Sequence, residues 1–302
     1  MATVRGRPAG PRRPLLRRAL LTLTVLTVLV AGGVVLDDRR AAAGAPTAAE
    51  VVAAVVAAYG PGDTLAVVVA RQQQPFAGLP LRGFEARRAR VAASSADNGE
   101  IASQPFLTAS MVKLFVAEDI LHRARAGLLT LTPRDAELMR EMIRRSDDSA
   151  ASTLWVRFGG DSMVSDVAAR YGLTGTAPPQ SPGRWGESMT TARDLARFLS
   201  LLPVVAHPAD AAALLGWMRE ATPVAADGFD QQFGLFGTAP PQTPVKQGWM
   251  CCIGGKRQLH SVAVIGQRVV VLLSEVPRGV SYAAASAALD RAAAAVPPPL
   301  HP

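Results

Sequence analysis

Ser110 and Lys113 are the residues best suited to do chemistry in this chain of 302 residues. Three positions apart on a helix, two side chains share one face with their Cβ atoms about 5–6 Å apart. The chain meets its positive charge almost wholly with arginine: of 32 basic residues only Lys113, Lys246 and Lys256 are lysine. Lysine gives up its proton when desolvated and arginine effectively does not, so a lysine in this background is a candidate for a task arginine cannot perform. A buried, partly neutral Lys113 would take the hydroxyl proton of Ser110 and make that oxygen a nucleophile. Pro105-Phe106-Leu107 reads as the end of a strand, which puts Ser110 in the first turn of the helix that follows. Free N–H groups and the helix dipole favour a developing oxyanion there.

Two more segments belong with this pair. Ser146-Asp147-Asp148 opens a helix, and Lys246-Gln247-Gly248 lies on a strand. In this order the three segments resemble the signatures of the serine β-lactamase and penicillin-binding superfamily, Ser-x-x-Lys, Ser-x-Asn and Lys-Thr/Ser-Gly. The resemblance spans about residues 47 to 297 and takes in the helix start from Thr190-Thr191 to Asp194. It implies that Ser110 is acylated with Lys113 as its base, that Ser146 relays the proton to the leaving amine, and that Lys246 attracts a substrate carboxylate. It further implies an oxyanion hole from the backbone N–H groups of Ser110 and Trp249, with Gly248 letting substrate lie against the strand edge and Trp249 flanking the cleft.

The departures carry information as well. Asp148 stands where the family has Asn, and an ionised carboxylate near Lys113 would hold that lysine protonated and weaken it as a base. Gln247 replaces a hydroxyl residue, with an amide that could still donate to a carboxylate. Residues 171–186 contain no Asp or Glu to activate a deacylating water, and Glu187 reads more simply as an acid flanking the next helix. The expectation is acyl-enzyme formation with a β-lactam or a D-Ala-D-Ala-type peptide and slow release. The alternative is a non-catalytic envelope module that keeps the fold and binds a cell-wall peptide or a protein. A glutaminase-like amidase is a minor variant of the enzyme reading.

The elements that must position these residues follow from periodicity. Thr47–Tyr59 reads as a helix with Thr47 as cap, and 64–70 as a strand; residues 71–100 lack a period and suggest a hairpin with a long exposed connection. Apolar residues spaced by three and four make 108–170 mostly helical, and a Pro/Gly loop near 178–183 precedes two further helices, to about 220. Runs 243–252, 258–265 and 268–274, separated by Gly254-Gly255 and Gly266-Gln267, read as an antiparallel meander, and 281–296 as a closing helix. The fold expected is α+β: one antiparallel sheet formed from both chain termini, flanked by helices, with an inserted all-α subdomain.

Of the net charge of +8, +6 sits in the first forty residues, so the remainder is too balanced for a nucleic-acid surface. Six arginines precede the uncharged apolar run 19–36, which reads as a membrane anchor in preference to a cleaved signal. Residues 1–46 are thus a basic tail plus anchor, 47–297 an extracytoplasmic domain and 298–302 a tail. The adjacent Cys251 and Cys252 form no disulfide framework and read as two small buried apolar residues on a strand, in preference to a redox pair. No Gly-x-Ser-x-Gly elbow is present, and His122, His207, His260 and His301 have no metal-ligand spacing. No metal and no cofactor are expected.

Overall fold

The computed structural model describes residues 46–74 and 94–298. Helix α1 (Ala48–Tyr59) starts on a reciprocal cap: Thr47 Oγ1 accepts the Glu50 N–H at 3.2 Å, and the Glu50 carboxylate accepts the Thr47 N–H at 2.7 Å. Strand β1 (Thr64–Arg71) follows, and β2 (Ala96–Asp97) pairs back on it, Val68 opposite Asp97. The expected hairpin is therefore present; most of its connection lies outside the described residues. Strand β3 (Phe106–Leu107) is shorter than a sheet strand and pairs only with β4 (Met189–Thr190), in a ribbon separate from the main sheet.

Helices α2 (Val112–Arg125), α3 (Pro133–Arg144), α4 (Asp148–Phe158) and α5 (Asp161–Tyr171) form the inserted helical region. After the loop come α6 (Ala192–Val205), capped by Thr191, and α7 (Pro208–Arg219), whose cap is His207. The short α8 (Leu235–Thr238) leads into the meander β5 (Val245–Ile253), β6 (Lys256–Ile265) and β7 (Arg268–Pro277), and α9 (Tyr282–Ala294) closes the described chain. The main sheet is antiparallel with order β2-β1-β7-β6-β5, so strands from both ends of the chain meet at β1 and β7.

Strand alternation sends the sheet's two faces into separate cores. On β1, Leu65, Val67 and Val69 pack under α1 and α9, while Ala66, Val68 and Ala70 join the core of the helical region. A strand buried on both faces needs an unbroken apolar run, which is why 64–70 reads TLAVVVA. The architecture is the α+β arrangement expected.

The cysteines correct an expectation. Cys251 is exposed and Cys252 half-buried, and the two are bonded to each other. The far end of edge strand β5 runs out of the core after Gly248, so these positions are not small buried packing residues. Among the described residues no helix is long and apolar enough to cross a membrane; the apolar run 19–36 lies outside them.

Candidate active site

Ser110 sits in a tight turn, Ala109–Met111, that runs straight into α2, one turn ahead of Lys113. Ala109 adopts a left-handed backbone (φ 47), and so does Ser146 (φ 53), just ahead of the Asp147 cap of α4. Neither is glycine, so each conformation costs of order 1 kcal/mol or more and is held by its surroundings. Both kinks aim serine hydroxyls at one lysine. Lys113 Nζ lies 2.9 Å from Ser110 Oγ, 3.2 Å from Ser146 Oγ and 2.6 Å from the Ser146 carbonyl.

From the other side, Lys246 Nζ on edge strand β5 reaches Ser146 Oγ at 2.8 Å and the Gln247 carbonyl at 2.6 Å. The four side chains thus form one chain of contacts, Ser110 to Lys113 to Ser146 to Lys246. Lys113 is 0% and Lys246 2% exposed, and burial lowers the pKa of both. Their charge balance differs. Asp148 Oδ1 is 2.5 Å from Lys113 Nζ, and its charge opposes the effect of burial. Lys246 lies well below its ordinary value because burial is reinforced by repulsion from Lys113, with Asp148 opposing only weakly.

Gly248 is where the edge strand meets the nucleophile turn. A Cβ there would meet the Ser110 nitrogen at 3.3 Å and the Thr108 carbonyl at 3.4 Å, so a side chain would push the strand off Ser110. The neighbouring strand fixes the same turn: opposite Gly248, buried His260 on β6 donates from Nε2 to the Leu107 carbonyl at 2.8 Å, and its Nδ1 accepts the Ser274 N–H. Burial holds that imidazole neutral, with its pKa pushed down to about 4. His260 lies mid-strand on β6, and its role beneath Ser110 has no local signature.

Gln247 does not follow the expectation for it. Lys246 reaches Ser146 and Gly248 lies against the Ser110 turn, so by strand alternation Gln247 points to the opposite face. Its amide nitrogen donates to the Phe233 carbonyl and its oxygen accepts from Ser261 Oγ, which leaves it 1% exposed and unable to reach a ligand in the cleft. Trp249 lines the cleft, but its indole stacks on Phe229 at 4.6 Å and donates to Asp227, anchoring the strand edge.

The cleft itself, about 240 Å³, is lined by Ser110 and Asp148 together with Ala109, Gly183, Arg184, Trp185, Gly186, Glu187, Trp249 and Met250. Glu187 is therefore a cleft residue, paired with Arg184, where the sequence suggested an acid serving the helix end. That helix end is capped by Thr191. Trp185 covers Lys113, whose Nζ lies 5.0 Å from the ring centroid, and its Nε1 donates to Ser152 Oγ on α4 at 3.2 Å. Arg184, Trp185 and Met250 escaped the sequence reading, since the loop that holds the first two has no period and no motif. Among the described residues no group of three or more His, Cys, Asp or Glu side chains is arranged to hold a metal ion.

With this geometry in hand, three comparisons bear on kinship. The lipoproteins named LppW from Mycobacterium tuberculosis and Mycobacterium bovis are 39% identical over 195 residues, covering 63% of this chain and 62% of theirs. The chain thus spans less than two thirds of the length of these curated relatives. A β-lactamase structure from Xanthomonas campestris shares the fold with a TM-score of 0.58 at 18% identity, covering 81% of this chain and 97% of that one. The class A β-lactamase of Mycobacterium abscessus does so with a TM-score of 0.56 at 17% identity, covering 82% and 97%. A family model described as the β-lactamase enzyme family matches residues 134–295, a stretch that begins after Ser110 and Lys113 and contains Ser146, Asp148 and Lys246. That match covers over half of the chain, and the chain belongs to the β-lactamase enzyme family.

Proposed function

We propose that this protein is an exported serine hydrolase that forms an acyl-enzyme on Ser110 with a β-lactam or a D-Ala-D-Ala-type peptide and releases the acyl group slowly. The observation that carries the reading is the buried contact chain Ser110, Lys113, Ser146, Lys246, in which two desolvated lysines alternate with two serines. A neutral Lys113 accepts the Ser110 proton as Oγ bonds to the substrate carbonyl carbon. Ser146 hands a proton to the leaving nitrogen as its bond breaks. The backbone N–H groups of Ser110 and Trp249 receive the oxyanion, on the strand edge that Gly248 keeps close. A substrate carboxylate arriving at Lys246 favours the ammonium there. The proton it draws comes from Lys113 through Ser146, which frees Lys113 to act as base.

The N-terminal tail and apolar run support an extracytoplasmic location, held at the membrane by residues 19–36 or secreted after their removal, and the lipoprotein name of the LppW relatives agrees with a membrane-associated site. The Lys113–Asp148 ion pair favours the second reading, a module that binds cell-wall peptide without reacting, because it opposes loss of the lysine proton. Mass spectrometry separates the two. The purified full chain incubated with benzylpenicillin is expected to gain a covalent adduct located on Ser110, absent in Ser110→Ala. No adduct after hours at high drug would leave the binding module.

A further inference from the structure

Hydrolysis of an ester on Ser110 forms a C–O bond from water to the acyl carbon, breaks the bond to Ser110 Oγ and returns a water proton to that oxygen through a base. Water therefore needs room beside Lys113 or a free carboxylate in the cleft. Both are obstructed by one turn, Arg184 to Glu187. The Trp185 ring covers Lys113, and Glu187, which lines the cleft with Ser110, is paired with Arg184. The other carboxylate of the cleft, Asp148, is paired with Lys113.

The turn is fastened at several points. Trp185 donates to Ser152 on α4, and the Thr108 N–H, two residues ahead of Ser110, donates to the Ser188 carbonyl at 2.7 Å. A Cβ on Gly186 would touch Met250 Sδ at 3.6 Å and the Ala109 backbone at 3.9 Å, so the turn lies directly against the nucleophile's own segment.

We propose that this turn is a water-excluding cover for the acyl group on Ser110, with Trp185 shielding the lysine and Arg184 disarming Glu187. The proposal rests on the acyl-enzyme reading and deepens it: the long life of the acyl group is built in by residues present, beyond the lack of an acid in 171–186. It also makes Arg184 and Trp185 determinants of what acyl-Ser110 can react with.

The test is the lifetime of the adduct, independent of how fast it forms. The full chain is loaded with benzylpenicillin, free drug is removed, and intact mass is followed with time. The wild-type adduct is expected to persist, and Trp185→Ala and Arg184→Ala each to shorten its life about tenfold or more, short of the roughly 10²–10⁴ of a fully positioned general base. Glu187→Gln added to Arg184→Ala is expected to restore the wild-type lifetime, which a merely structural role for Arg184 would not do. Arg184 has an exposed side chain, so its variant remains informative if Trp185→Ala fails to fold. The proposal is overturned if the wild-type adduct forms and is lost within minutes, or if neither variant changes its lifetime. If no variant acquires an adduct on Ser110, the acyl-enzyme reading itself fails and the cover falls with it.

Discussion

The two walls of the cleft solve the same electrostatic problem differently. The helical wall buries Lys113 and gives it Asp148 at 2.5 Å, while the sheet wall buries Lys246 among a hydroxyl and a carbonyl, with no carboxylate of its own. Both contact Ser146. A buried ammonium without a counter-ion is costly, and the proposed reading therefore keeps the proton the pair holds on the helical side. On the proposed reading Asp148 does more than replace an amide: it favours Lys113 as the charged lysine of the resting protein.

Substitutions can break this comparison. Lys113→Ala is expected to slow acylation by roughly 10²–10⁴, the usual worth of a general base, whereas Lys246→Ala should raise the drug concentration needed and slow acylation less, since Lys113 then loses its proton to solvent instead of to Lys246. Adduct formation followed over a range of concentrations checks both, and a larger rate loss in Lys246→Ala would reverse the roles. Lys246→Met is expected to raise unfolding stability by about 0.5–2 kcal/mol in urea at neutral pH, since a buried amine that folding strips of its proton is replaced by an apolar chain of like volume. The linkage has a defined sign. Between the lowered pKa of folded Lys246 and its ordinary 10.5, the unfolded chain holds a proton the folded one lacks, so stability contributed here grows as pH rises through that window. Urea titrations at several pH values should show that slope in wild type and its loss in the Met variant. The smallest effect expected is in Asp148→Asn: acylation about tenfold faster at neutral pH, with the rising limb of the pH–rate profile moved to lower pH, because a charge that raises the lysine pKa is gone. An unchanged profile would mean that Asp148 does not control Lys113.

The frame of this site was legible because each part of it has a local cause. Caps at Thr47 and Thr191, the two-sided apolar run of β1 and the glycine turns of the meander all write themselves into short stretches of sequence. Ser110 and Lys113 stand out by spacing and, with Lys246, by the scarcity of lysine, whereas Ser146 and Asp148 stand out through the resemblance to the superfamily's ordered signatures. What stayed hidden depends on contacts between distant segments. Gln247 is claimed by Phe233 and Ser261, although period-two alternation from Lys246 already pointed it away. His260 beneath the nucleophile turn, 153 residues from Leu107, has no sequence signal at all. Nor does the covering turn around Trp185, where an irregular loop acquires its role only by landing on Ala109 and Lys113.

The unequal sharing of charge between the two lysines can be read directly. Three lysines in the whole chain allow each side-chain amine to be followed by NMR in lysine-labelled protein, with single substitutions for assignment. The expected result is that Lys246 loses its proton at a lower pH than Lys113, and that Asp148→Asn moves the Lys113 midpoint down toward it. Lysines that titrate together, or Lys113 losing its proton first with Asp148 in place, would contradict the account.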